Sequence, residues 1–431
     1  MPASAANTTD SRATRAMLWT LLIVYVFNFL DRQIVNILAE PIRKDLNLSD
    51  TQIGLMTGLA FALFYTVLGL PIARYADKPS TDRGRLIAIA LAIWSAMTAL
   101  CGLAQNFTQL LLARIGVGVG EAGCTPAAHS LIADRVPAER RASAMAFYAL
   151  GIPLGSLLGM VIGGYLADVL GWRKAFMLVG APGVVLALFV VWLVKDKGRA
   201  AAAAVAAIGK PVHPPESMGT TLKSLLGSRT FLILLAAASA CSFLSYGKTT
   251  WTTIFFQRTH GLTPGEVGFW FGLWGGLAGM LGTFLGGWLA DKYGKIDRRH
   301  VVTAPAIGMA LAVPLAISAY FVTDWRFALV LLMIPSVLNS LYYGPVFSST
   351  QGLVALRHRA MASAVLLFCQ NLIGLGLGPL FFGMLSDFLK PVAGDESVRY
   401  VLYGAACLGF IPAILFWMLR PRLHAELDRH T

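Results

Sequence analysis

Five charged side chains stand inside stretches that are otherwise apolar: Asp31, Arg32, Arg114, Glu121 and Lys248. Of 22 acidic residues, only Asp31 and Glu121 are placed this way. Carboxylates away from water can take up and release protons, and guanidinium groups present a planar fork of donors that matches carboxylate or phosphate. A charge at bilayer depth is costly unless paired or wet, so each of the five is a functional candidate by default. Counting from Met17, Asp31 lies about 21 Å along its helix; counting from Thr108, Arg114 lies about 9 Å along a helix running the other way. The two are then at similar depth. Glu121 is about two turns deeper and roughly on the same face as Arg114. Asp31 and Arg32 differ by about 100° around their helix, so they do not pair with each other but both can address the helix of Arg114 and Glu121. These four residues form one polar cluster, read either as a structural salt-bridge set or as a site for protons and an anionic group. Lys248, about 25 Å along its own helix, either faces a central path or snorkels outward. His129 reads as a packed polar residue.

The elements that must carry this cluster follow from composition. Hydrophobic residues make up 56% of the 431, charged residues 13%, and the mean hydropathy is +0.66. Soluble chains are about one quarter charged, so most of this surface does not face water. Met17 to Leu38, Leu86 to Leu103 and Val401 to Leu419 each have the length that crosses ~30 Å of hydrocarbon. Twelve spans are expected, at 17–36, 52–73, 86–105, 108–133, 142–167, 175–194, 230–257, 267–290, 301–322, 327–349, 360–386 and 400–419. The fold class is an all-α membrane protein. The five cysteines lie in separate apolar stretches and give neither a disulfide framework nor metal-ligand spacing. The first apolar stretch runs through Asn28, Asp31 and Arg32 without a small-residue cleavage site, and reads as a retained helix. The net charge of +13 is not a nucleic-acid signal, because the basic residues sit in short loops. No phosphate-binding loop, metal cluster or nucleophile with a nearby base is present in the sequence, so neither an enzyme nor a cofactor is expected.

The Lys and Arg residues fix an expected orientation. The termini and the loops after even-numbered spans hold 24 of the 35, the opposite loops hold 8, and the other three are Arg32, Arg114 and Lys248. That bias places both termini in the cytoplasm and requires an even number of spans. The chain divides at a linker, residues 195–229, with an Ala run and then Pro211, Pro214, Pro215 and Glu216. Residues 1–194 and 230–431 are expected to be two pseudo-symmetric six-helix halves. Tyr75-Ala76-Asp77-Lys78 matches Leu289-Ala290-Asp291-Lys292 at an offset of 214; Arg141 to Ala144 matches Arg359 to Ala362 at 218; Pro126 matches Pro345 at 219. At the same offset Glu121 becomes Ser340, so ionisable chemistry is confined to the first half.

At these residues the chain resembles the major facilitator superfamily over essentially its whole length. Gly286-Gly287-Trp288-Leu289-Ala290-Asp291-Lys292-Tyr293-Gly294-Lys295 is similar to the superfamily's loop signature. The first copy departs from it: Ala73 replaces the second glycine, and Pro79 to Arg83 separate Asp77 from Gly84-Arg85. Arg114 to Ala122 resembles the helix 4 signature, and Asn28-Phe29-Leu30-Asp31-Arg32-Gln33 with Gly120-Glu121-Ala122 resembles the spinster branch. The resemblance implies an alternating-access carrier in the plasma (inner) membrane, acting as a monomer on lysolipids or sphingosine phosphates and driven by protons. On this reading Asp31 and Glu121 couple the protons, while Arg32, Arg114, Lys248, Tyr342 and Tyr343 meet substrate. The rival reading is a proton-coupled exporter of amphipathic drugs or small organic ions. Met160 stands where the antiporter motif of helix 5 has Gly-Pro, so that motif does not support antiport.

Three further patterns complete the expectations. Asp77 and Asp291 end helices, a poor place for an anion. They are candidates for a cytoplasmic gate with Arg83, Arg85, Lys292 and Lys295 and with the start of helix 11 or 5, Asp77, Arg85, Asp291 and Lys292 being the core set. Gly151, Gly155, Gly159 and Gly163 step by four along helix 5, as do Gly268, Gly272 and Gly276 along helix 8; close packing and a bendable helix both fit. Tyr246, Trp251, Phe255, Phe256, Trp270, Trp274, Tyr342 and Tyr343 offer an aromatic wall for an acyl tail, or else a core and a lipid-facing surface.

Overall fold

Helix starts in this chain are written by short polar residues placed just before apolar runs. Ser49 forms a capping box: its hydroxyl accepts the Gln52 amide at 3.1 Å, and Gln52 Oε1 accepts the Ser49 amide at 2.9 Å. Asp82, Asn106, Ser228 and Asp324 each accept an amide of the turn that follows. These bonds satisfy donors that a helix start leaves unpaired. The computed structural model describes residues 4–78, 80–194, 196, 218–354 and 358–427, and all regular structure among them is helical. The Ala- and Pro-rich part of the expected linker lies outside the described residues.

Ten helical stretches among the described residues are long and apolar enough to cross a membrane. Two of the twelve expected spans do not stand out separately. The stretch expected at 108–133 is split into Phe107–Glu121 and Cys124–Arg135, and the last two spans run together as Met361–Glu426. The split falls at Ala122-Gly123, immediately after Glu121. Large apolar side chains face outward, Trp192 at 76% exposure and Phe388 at 78%. That is the surface hydrocarbon requires and water would penalise.

The contacts sort the chain into two compact units. One holds Met1–Asn47, Ala60–His213 and Thr263–Gly272; the other holds Leu48–Leu59, Pro214–Leu262 and Leu273–Thr431. In the first unit, the glycine stripe of the helix Gly151–Leu170 lies on the helix Ser4–Leu46. A Cβ at Gly151 would come 2.8 Å from Cβ of Tyr25, at Gly159 2.7 Å from the Leu30 carbonyl, and at Gly163 2.8 Å from Ile34 Cγ1. The stripe is therefore a packing surface, and it fixes the helix that carries Asp31 and Arg32. The helix Phe107–Glu121 is fixed in the same way: a Cβ at Gly118 would come 2.6 Å from the Phe61 carbonyl, and one at Gly120 2.6 Å from the Trp94 amide nitrogen.

In the second unit, the helix Arg229–Arg258 is the central element, burying Leu234, Ala237, Ala238 and Cys241 against Met309, Tyr342 and Phe416. Trp251, Phe255 and Phe256 are completely buried in it, and Trp251 Nε1 donates to the Pro379 carbonyl at 2.9 Å. Those three aromatics belong to the core rather than to a wall facing a path. Small residues again set the approach: a Cβ at Gly374 would meet Ser242, and one at Gly378 would meet the Phe243 carbonyl.

Candidate functional site

Close packing around the glycines of Phe107–Glu121 brings the four charges of the first unit together. Arg32 Nε donates to Glu121 Oε2 at 2.7 Å; Glu121 is completely buried and Arg32 nearly so. The Arg32 guanidinium lies over three rings, 4.5 Å from the centroid of Tyr65, 5.0 Å from Phe61 and 5.1 Å from Phe29. Arg114 lies over the Phe61 ring at 5.5 Å, and Phe61 and Tyr65 stack at 5.4 Å. A guanidinium over an aromatic face gains roughly 0.5–2 kcal/mol, the more as water is excluded. The rings therefore form a cradle that holds both cations with their planes defined.

The cluster is under-paired. Asp31 is completely buried beside Thr98 and Trp94, and neither of these donors reaches its carboxylate in good hydrogen-bond geometry. Glu121 Oε1 and the Asn28 amide stand beside each other in the same loose way, and Arg114 Nε and Nη1 make no hydrogen bond among the described residues. A buried polar group without a partner costs roughly 1–3 kcal/mol. A fold that retains several of them in one place has not optimised that place for stability.

The remaining expected substrate residues lie in the second unit. Lys248 is half-buried on Arg229–Arg258. Tyr342 and Tyr343 stack with centroids 4.3 Å apart, at the break between the helices Trp325–Ser340 and Tyr343–Gly352. Tyr342 is 1% exposed, with its hydroxyl beside Tyr343 and Ser242, while Tyr343 is exposed.

At the end of the chain's second span, Arg83 rather than Arg85 is the organising cation. Its Nε and Nη2 grip both oxygens of Asp196 at 2.7 and 2.9 Å, and Nη1 reaches Asp134 at 2.6 Å and Ser130 at 2.9 Å. Ser130 in turn donates to Asp77 at 3.4 Å. Burial alone would raise the Asp196 carboxyl, but the Arg83 hydrogen bonds and charge outweigh it and hold the group below its ordinary value. Arg85 is exposed and pairs with its neighbour Asp82 at 3.5 Å. Asp291 and Lys292 are both exposed, Lys292 lying over the rings of Trp288 at 4.7 Å and Tyr293 at 5.5 Å.

The Major Facilitator Superfamily profile matches residues 21–375 and 248–431, which together take in nearly the whole chain. The chain belongs to the major facilitator superfamily. Within the superfamily it is similar to an MFS-type efflux pump of Mycolicibacterium smegmatis, with 36% identity over 417 residues, 96% of this chain and 95% of that protein. It is also similar to spinster homolog 1 of Xenopus laevis, with 25% identity over 96% of this chain and 82% of that one. Among solved structures, a bacterial homolog of the human lysosomal transporter Spinster, crystallised inward-facing and unoccupied, superposes with a TM-score of 0.85 at 29% identity, covering 96% of this chain and 98% of that one.

This major facilitator protein is therefore a spinster-like membrane transporter and not an enzyme. Its helix 4 signature now has a local physical meaning, because Gly118 and Gly120 are the positions where backbone meets backbone. Sequence reasoning placed Arg83 beside Asp77 but missed Asp134 and Asp196. Asp196 lay in the segment assigned to the linker, two residues past an apolar helix. The one available signal was that an acidic side chain so close to a span needs a cation.

Proposed function

We propose that the protein is a proton-coupled, alternating-access transporter of an amphipathic lipid with an anionic head, such as a lysophospholipid or a sphingosine phosphate. Twelve spans in two six-helix halves, termini in the cytoplasm, the plasma membrane and a functional monomer belong to the same proposal. The observation that carries it is the Arg32–Glu121 pair on its aromatic cradle, next to the completely buried Asp31 and the buried Arg114. Such a cluster can exchange partners. An anionic head competing for Arg32 or Arg114 frees a carboxylate, and a proton arriving on Asp31 or Glu121 frees a guanidinium. Substrate and proton would thereby be linked through one set of charges, in a state-dependent way. The half-buried Lys248 and the Tyr342–Tyr343 stack supply apolar area and a cation for the rest of the molecule.

The test compares ligands on one variant. Arg32→Lys keeps the charge and loses the fork, so it weakens a phosphorylated lipid relative to its dephosphorylated analogue by about tenfold, the worth of one charge-assisted hydrogen bond. Stabilisation of the purified protein by each ligand measures this. Equal losses for the two ligands would remove the head group from the proposal. The similarity to an efflux pump over 96% of the chain favours a second reading, export of amphipathic drugs. On that reading cationic drugs stabilise the parent protein and Asp31→Asn abolishes their effect.

A further inference from the structure

A short helix, Met218–Gly227, stands ahead of the central helix of the second unit. The two are separate elements. Ser228 breaks the path between them, and its hydroxyl accepts the Phe231 amide at 3.2 Å to start Arg229–Arg258 afresh. At about 100° per residue, Met218, Leu222, Leu225 and Leu226 fall within one arc of the short helix, with Lys223 beside it.

That apolar arc is only partly covered by protein. Leu225 is 4% exposed and packs with Phe231 and Ala362, with Met361 and Val365 around them. This contact fixes the helix against Arg229–Arg258 and Arg359–Cys369. Leu222 and Leu226, one turn apart on the rest of the arc, are 38% and 46% exposed. Leu232, one turn into Arg229–Arg258, is 39% exposed, so the apolar outer wall of that helix already begins beside them.

Cations stand around the same place. Lys223, Arg229 and Arg359 are all exposed. Arg359 opens the helix that carries Ala362, and its Nε donates to the Gln351 carbonyl at 3.0 Å. The residues from Met218 to Thr230 include no Asp or Glu. Glu426, which reaches this base from the last helix, accepts the Thr230 hydroxyl at 2.5 Å. An apolar arc flanked by cations where a span begins is the pattern of a helix lying in a bilayer interface. Leucines reach the acyl boundary there, while Lys and Arg extend to the phosphates. Ten residues would hold a free helix on a bilayer only weakly, but this one is tethered to a span, which makes its docking intramolecular.

We infer that Met218–Gly227 anchors the second unit to anionic bilayer lipid. Leu222 and Leu226 enter the acyl boundary, and Lys223, Arg229 and Arg359 hold phosphate head groups. The inference uses the membrane assignment alone and is independent of the substrate and of proton coupling. Its test uses full-length protein with the five native cysteines replaced, spin-labelled through Leu222→Cys or Leu226→Cys. The protein is placed in nanodiscs of phosphatidylcholine, or of an equal mixture with phosphatidylglycerol. Collision with oxygen, which concentrates in lipid, and with a water-soluble nickel chelate reports where each label lies. In the mixed discs both labels meet oxygen and are shielded from nickel. Lys223→Gln, Arg229→Gln and Arg359→Gln each lower the ratio of lipid-immersed to water-exposed label there by roughly fivefold, the worth of one cation near an anionic surface. All three leave the Leu225 contact in place and change little in phosphatidylcholine alone. Molar salt weakens immersion in the mixed discs in the same direction. Labels open to nickel in both kinds of disc would overturn the anchor, as would labels shielded from both reagents by a covering protein. Immersion that is equal with and without phosphatidylglycerol would overturn the role of the three cations.

Discussion

The two copies of the loop signature have opposite fates. The second copy, Gly286 to Lys295, is complete in sequence, yet Asp291 and Lys292 are exposed and Lys292 rests on neighbouring rings of its own helix. The first copy is interrupted by Pro79 to Arg83, yet that interruption supplies Arg83, which is 1% exposed and binds Asp196, Asp134 and Ser130 at once. The inserted residues do more structural work than the ones that match the pattern. A motif marks where a contact can form in some state of the cycle; the network around it decides what holds a given state.

The largest expected effect breaks the first copy. Arg83→Gln leaves the Asp196 carboxylate buried without its cation, a change that costs about 3 kcal/mol. Asp291→Asn, made as its matched control, stays within about 0.5 kcal/mol of the parent, as surface changes do. Thermal unfolding in detergent, followed by tryptophan fluorescence, measures both. Similar midpoints for the two variants would erase the contrast between the copies.

A smaller effect sharpens it through pH. The Asp196 carboxyl is held below its ordinary value in the folded protein. Its contribution to stability is therefore complete above the unfolded value, near 3.9, and is lost as pH falls through the lower folded value. The stability difference between the parent and Asp196→Asn is expected to be constant from neutrality down to about pH 5 and to shrink below about pH 4. A difference that grew on acidification would mean that Asp196 is not ionised in the folded state.

The smallest effect concerns populations. On repeat symmetry Asp291→Asn shifts the inward/outward balance at least as far as Asp77→Asn, because the first copy is the interrupted one. An exposed ionic contact contributes about 0–1 kcal/mol, so each shift is at most severalfold. Paired spin labels on the loops that follow Asp77 and Asp291 read it at fixed pH. A shift in Asp77→Asn alone would transfer the gating role to the Arg83 side, and no shift in either would leave two ordinary loop charges.

The all-helical membrane fold was legible because the bilayer imposes length and apolarity on every span. Arg32 and Glu121 stood out as charges where charge is expensive, but rise per residue put Glu121 about two turns deeper than Asp31 and Arg114, so it did not single out the Arg32–Glu121 pairing. The split at Ala122-Gly123 was not legible: an apolar run reads as continuous whether or not its hydrogen-bond ladder is broken. The ion pair of Asp50 with Arg258, at 2.9 Å and buried, escaped for a different reason. Each stands at the end of a span, where a charge looks solvated, and burial there depends on helices far away in sequence.

The grip of Arg258 on Asp50 spans 208 positions of the chain. At ~5–20 residues per second, a ribosome that has just delivered Asp50 takes about 10–40 s to deliver Arg258, and longer still to deliver Ser386, whose hydroxyl donates to the Asp50 carboxylate, and Asp387, which accepts the Asp50 amide. For that interval the start of the second span has neither its cation nor its cap, and its carboxylate relies on water at the membrane surface. The compact unit to which Leu48–Leu59 belongs is completed only when the last third of the protein has been made.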